Sequence, residues 1–195
     1  MTENIILARK YLLQNEDQKA LSIYLKENES DSKNPEAAYV VYNTYCTNCI
    51  DKHEPNDKIK LAFLAVSETL EKAIKYVAAS EGSEDDNMRL VARFLGWYLP
   101  IANYAVKNPI TSPSERIQLA VTTLYTAGNT IATAFGSTTD ALIVANIAWK
   151  EGVKLQQQFY AYSYDGNKVE DYVAKIQKTE PSYVVPKKAG CISKG

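Results

Sequence analysis

Ser112-Pro113-Ser114-Glu115-Arg116-Ile117-Gln118-Leu119-Ala120 is the stretch on which the fold turns. A serine hydroxyl at the N-cap accepts from the open amides of a first helical turn. Proline is tolerated just inside that turn, and a glutamate three residues after the cap completes a capping box. Beyond the cap, Ala120, Leu124, Ala127, Ile131 and Ala134 recur with the 3.6-residue period of a helix that buries one face. The pattern predicts a helix over about 113–135.

Working outward, the same punctuation returns along the chain. Weaker start signals stand at Asn34-Pro35, at Asn56, at Ser83 with Asp86, at Ser137 with Asp140, and at Asn167 with Glu170. Two further stripes are helical: Ile59, Phe63, Val66, Leu70, Ala73 and Val77, then Met88, Val91, Leu95, Tyr98, Ile101 and Ala105. Strand-like alternation is scarce. Helices are predicted at about 3–14, 17–28, 35–50, 57–79, 84–107, 113–135, 139–163 and 168–178, with a kink at Pro100, where a backbone donor is missing. Short loops turn each helix back along its predecessor. The expected architecture is therefore all-α, with about eight helices in stacked antiparallel hairpins or an irregular helical bundle. One domain is expected over residues 1–180, followed by a flexible tail over 181–195 that holds two prolines and several lysines.

Composition narrows the function classes. Twenty-two basic residues face 23 acidic ones in 195, a net charge of -1 that gives no electrostatic reason to expect nucleic acid or an anionic membrane as partner. The first residues, Met1-Thr2-Glu3-Asn4-Ile5-Ile6-Leu7-Ala8-Arg9, lack the basic flank and long apolar core of a secretory signal. Three cysteines, Cys46, Cys49 and Cys191, form no disulfide framework. The longest uncharged apolar run, Phe94 to Val106, is shorter than a membrane span and contains Pro100 and Asn103. A cytoplasmic protein is expected.

The first hairpin carries a more specific pattern. Leu7-Ala8, Tyr11, Ala20 and Tyr24 place small residues where two helices approach closely and aromatic rings beside them. This stretch, residues 1 to about 35, resembles a tetratricopeptide repeat. The resemblance implies a TPR-like α-hairpin fold whose relatives usually bind other proteins or peptides. A shared fold does not by itself set function.

Several groupings could carry chemistry. Cys46-x-x-Cys49 followed by His53 offers three ligands for a zinc site, yet Tyr39, Tyr42, Cys46, Cys49 and His53 also form one stripe of a buried helix face. On a straight helix, positions 46 and 53 stand about 10.5 Å apart along the axis, too far to share one metal. Arg89, Arg93 and Trp97 lie at i, i+4 and i+8 and put two of the four arginines beside an indole. Such a face suits a carboxylate or phosphate ligand; the plainer alternative is that both arginines pair with acids such as Glu71 or Asp85.

From Ile117 to Trp149 the only charge is Asp140, which predicts two largely enclosed helices. Thr122, Thr126, Asn129 and Thr133 form a polar stripe there, readable as a helix contact, a self-association face or a pocket wall. Fourteen tyrosines, with groups at Tyr39/Tyr42/Tyr45 and Tyr160/Tyr162/Tyr164, suit wet interfaces and core edges alike. In the tail, Cys191 is not fourth from the end and does not read as a prenylation site.

The single histidine leaves no catalytic Ser-His pair outside the cysteine cluster, and no glycine-rich phosphate loop is present, which weighs against an enzyme. The leading reading is a non-enzymatic scaffold that binds a protein or peptide, as a monomer or homodimer, through Arg89, Arg93, Trp97, Tyr39 and Tyr42. Capture of a small anionic ligand competes with it, and an enzyme stands third. No cofactor is expected.

Overall fold

The computed structural model describes residues 1–159 and 169–186, and among them the chain forms eight α-helices and no strand. These are α1 (Glu3–Leu13), α2 (Asp17–Ser30), α3 (Pro35–Asp51), α4 (Asn56–Ala78), α5 (Glu84–Lys107), α6 (Pro113–Ala134), α7 (Thr139–Gln158) and α8 (Val169–Gln177). Asn167, Tyr160, Tyr162, Tyr164 and Cys191 lie outside the described residues.

Side-chain oxygens cap five of the starts. Thr2, Asn34, Ser83, Ser112 and Thr138 accept from the amides of Ile5, Ala37, Asp86, Glu115 and Ala141. Two of the expected caps are corrected. Asn56 is already the first helical residue of α4, and its amide instead donates to the Pro109 carbonyl at 3.0 Å. Ser137 has a φ of 53° and follows Gly136 at 72°, so the two form the left-handed turn that ends α6, and Thr138 takes the cap. α5 runs unbroken through Pro100, whose i−4 neighbour is the exposed Gly96.

The stripes of α4 and α5 are buried along their whole length, each member at 7% exposure or less. In α6 the stripe holds as far as Ile131, and Ala134 is exposed in the last turn. α5 is the spine of the bundle, touching α1, α3, α4, α6 and α7, while α4 packs directly on α6 as well as on α3. The hairpins therefore wrap a central helix rather than stacking in a simple row.

In the first hairpin, Ala8, Ala20 and Tyr24 are fully buried, Tyr11 is half-buried, and Leu7 points outward. The α1–α2 hairpin is fixed to α3 by a buried ion pair: Arg9 Nε donates to Glu36 Oε1 at 3.0 Å and Arg9 Nη2 to Oε2 at 2.6 Å. The Tyr24 hydroxyl donates to Glu36 Oε1 at 2.6 Å, and Arg9 Nη2 also donates to Ser80 Oγ at 3.0 Å. Burial opposes the charge on Arg9, but Glu36 outweighs it and holds the guanidinium above its ordinary pKa. Tyr24 is pushed well up, first by burial and then by the Glu36 charge.

α6 and α7 form the tightest seam, built on two glycines facing two aromatic rings. A Cβ on Gly128 would come within 2.3 Å of Trp149 Nε1, and one on Gly152 within 2.6 Å of the Tyr125 ring. The low-charge segment is enclosed on this side only, because α7 leaves Ile143 and Ile147 exposed on its outer face. The residues expected to begin a tail are partly seated: Tyr183 and Val185 pack against the core.

Candidate functional site

α5 starts at the Ser83 cap and carries Arg89, Arg93 and Trp97 along one side, where α1 and α2 turn into each other. The helix period brings the three into line, but they do not converge on one ligand. Arg93 Nη2 donates to both carboxylate oxygens of Asp17 at 2.6 Å, and Nη1 donates to Asn15 Oδ1 at 2.7 Å. Arg89 Nη1 lies 3.5 Å from Asp86, and its Nη2 donates to the Leu13 carbonyl at 3.4 Å. The acids that pair with these arginines are thus Asp17 and Asp86. Glu71 pairs instead with Lys75 at 2.8 Å.

Trp97 lies beyond the ion pair, its ring 5.6 Å from the Arg93 guanidinium and 5.8 Å from Phe94. On its other side it faces an open groove of about 290 Å³ between α2, α3 and α5. Leu12, Leu21, Tyr24, Val40 and Trp97 supply apolar walls, while Asp17, Gln18, Asn43, Thr44, Thr47 and Asn48 supply polar ones. Asn43, Thr44, Thr47 and Asn48 fall at i and i+4 on α3, so each pair lines the same face. Thr44 donates its hydroxyl to the Val40 carbonyl at 2.9 Å and Asn43 Nδ2 donates to Tyr39, so the exposed Thr47 and Asn48 are the members that both donate and accept toward a peptide backbone. Arg93 Nε is buried beside this region with no hydrogen-bond partner.

Two of the expected contact residues take other places. Tyr39 is wholly buried under the groove wall; its hydroxyl donates to the Phe94 carbonyl and accepts from Asn43 Nδ2, clamping α3 to α5. Burial, and then Tyr98, pushes its pKa well up. Tyr42 is 37% exposed and does not line the groove. The buried face of α3 runs through positions 39, 43, 46 and 49, so Asn43 occupies the place that the stripe assigned to Tyr42.

Cys46 and Cys49 are buried in that face, and burial followed by Cys49 pushes the Cys46 thiol up to about 12. His53 stands beyond the end of α3, exposed and with a φ of 52°. Among the described residues no three His, Cys, Asp or Glu side chains are grouped to hold a metal ion. Among those residues, too, no helix is long and apolar enough to cross a membrane.

Three features escaped the sequence reading. The Asp17 partner of Arg93 is 76 residues away in sequence, which helical periodicity does not connect. Thr44, Thr47 and Asn48 of the polar α3 face lie off the Tyr39–His53 stripe that the sequence marks. The Arg9–Glu36 pair did leave a trace: one arginine inside the apolar run from Ile5 to Leu12 needs a buried acid to sit there.

No protein-family model matches the chain, and neither a curated protein nor a solved structure matches it.

Proposed function

We propose that this chain is a helical protein-binding module whose working surface is the α2–α3–α5 groove. The observation that carries the reading is the pairing of Trp97 and apolar walls with four adjacent amide and hydroxyl side chains, Asn43, Thr44, Thr47 and Asn48. Apolar walls give binding energy through desolvation, and the polar face gives register to an incoming peptide backbone. The first hairpin buries Ala8, Ala20 and Tyr24, and under the TPR-like reading its relatives bind proteins or peptides. The Arg93 guanidinium, 5.6 Å from the Trp97 ring, steadies that wall of the groove.

A free small anion is a poorer occupant. Asp17 already holds the Arg93 guanidinium, with both carboxylate oxygens 2.6 Å from Nη2, so an anion would have to displace a carboxylate tethered beside it.

The test is a selection of displayed peptides on the full chain, followed by affinity measurement on Trp97→Ala and Arg93→Ala. Trp97→Ala is expected to weaken the selected peptides at least about tenfold and Arg93→Ala by more than ~1 kcal/mol, both with an unchanged helical spectrum. Peptides that bind Trp97→Ala as tightly as the parent would remove the groove from consideration.

A further inference from the structure

α1 buries Ile5, Ala8, Arg9 and Leu12 and turns Glu3, Ile6, Leu7 and Lys10 to solvent. At about 3.6 residues per turn, the second four fall within an arc of about 100°, so they share one outward face. Ile6 is 53% exposed and Leu7 41%, which sets two large aliphatic side chains side by side in water at the middle of that face. A single exposed leucine is unremarkable, but adjacent ones make a patch. Beside Ile6 the surface opens into a recess of about 640 Å³ between α1 and the start of α5, with Met1, Leu13 and Leu90 among its apolar walls.

The charges on the face say what covers it. Glu3 stands three residues before the Ile6–Leu7 pair and Lys10 three residues after it, so the order is acid, aliphatic pair, base. Turned end to end, the pattern meets itself with opposite signs in register. Among the described residues neither Glu3 nor Lys10 makes an ion pair, and both side chains are exposed. Their placement suits the dipole of α1, with the acid in its first turn and the base in its last. The dipole does not require that both lie on the outward face at equal distances from an exposed aliphatic pair. An unrelated protein would have to bring the complementary order by coincidence; a second copy of this chain carries it by construction.

We propose that the chain associates with a second copy of itself by antiparallel pairing of α1, about a two-fold axis that crosses the helices between Ile6 and Leu7. Glu3 of each copy then meets Lys10 of the other, and Ile6 and Leu7 from both copies form the aliphatic centre. Such a contact is isologous and closes on itself as a dimer. The axis keeps the Ile6 flanks of the two copies on one side, so the two recesses face each other and their apolar walls leave water together. A parallel pairing would set Glu3 against Glu3 and Lys10 against Lys10. The face is at the small end of specific interfaces, so the dimer forms and dissociates with concentration.

The test is self-association of the full chain by analytical ultracentrifugation over a hundredfold range of concentration. A dimer is expected to fill as concentration rises, and Ile6→Ser with Leu7→Ser to weaken it at least tenfold. Ile147→Ser, which removes an equally exposed isoleucine on α7, should leave it unchanged. Glu3→Lys and Lys10→Glu, each alone, set like charges together at both ends of the contact and should weaken the dimer about tenfold. An equimolar mixture of those two variants restores opposite charges at both ends and should recover the affinity of the parent. All the substituted side chains are exposed, so the helical spectrum should not change. A monomer at every concentration would overturn the proposal. So would a dimer indifferent to both charge variants, a mixture no tighter than either variant alone, or an Ile147→Ser loss equal to that of the α1 variant.

Discussion

Arg9 and Arg93 each reach from one helix to a carboxylate on another, yet their surroundings differ. The side chains of Arg9 and Glu36 are 6% and 0% exposed, and the pair is enclosed by Tyr24, Ser80 and Tyr76. Those of Arg93 and Asp17 are 27% and 43% exposed and sit at the edge of a groove. A charge pair sealed from water cannot lose one member without leaving the other stranded, whereas a pair at the rim can rehydrate or exchange partners. The difference separates the arginine that holds the fold from the arginine proposed to serve binding.

Removing one member of each pair is the sharpest way to break that comparison. Arg9→Ala leaves Glu36 buried and uncompensated and is expected to cost about 3–5 kcal/mol in chemical denaturation. A loss near that of a surface pair would show that Glu36 finds water or a new partner. Next in size is Gly128→Ala, whose Cβ meets the Trp149 ring at 2.3 Å; overpacking there should cost about 1–3 kcal/mol by the same measurement. Arg93→Ala is expected to cost under about 1 kcal/mol of stability while weakening groove binding by more than that. A clear fall in melting temperature with affinity unchanged would reverse the assignment and make Arg93 a brace like Arg9.

The smallest expected effect is one of pH. The hydrogen bond from Lys150 holds the Glu180 carboxyl below its ordinary 4.5, burial opposes this, and Asn146 and the lysine charge add to it. Because the folded-state value is the lower one, Glu180's contribution is complete above the unfolded carboxyl's pKa and is lost as the pH falls through the folded value. The protection of the α8 amides, taken relative to their intrinsic exchange rate at each pH, should therefore fall below about pH 4.5, and Lys150→Met should flatten that dependence. Equal loss of protection in both proteins would remove Glu180 as the cause.

The helices were legible because local chemistry writes them. Ser112, Ser83 and Asn34 cap where their types and spacing indicate, and the stripes of α4 and α5 face the core. Two caps slipped by one residue, since Pro55 and the left-handed Gly136–Ser137 turn moved the helix starts without changing the periodicity. The site was legible only in part. Arg93 and Trp97 stood out on one helix face, but what each touches depends on α1, α2 and α3, which no spacing within α5 encodes. Tyr42 and Asn43 show the limit most plainly: a register difference of one residue decides which lies inward, and the tyrosine-rich run suits either choice.

The central claim, that the α2–α3–α5 groove receives a segment of another protein, is tested most directly by a photo-crosslinking residue at Thr47 in the full chain, expressed in its native host. Thr47 is exposed on the polar side of the groove, and Leu61 on α4 lies outside it and serves as the control position. The account predicts a discrete protein adduct from Thr47 that is absent from Leu61 and is lost with Trp97→Ala. An adduct from Thr47 that persists in Trp97→Ala, or that forms equally from Leu61, would contradict it.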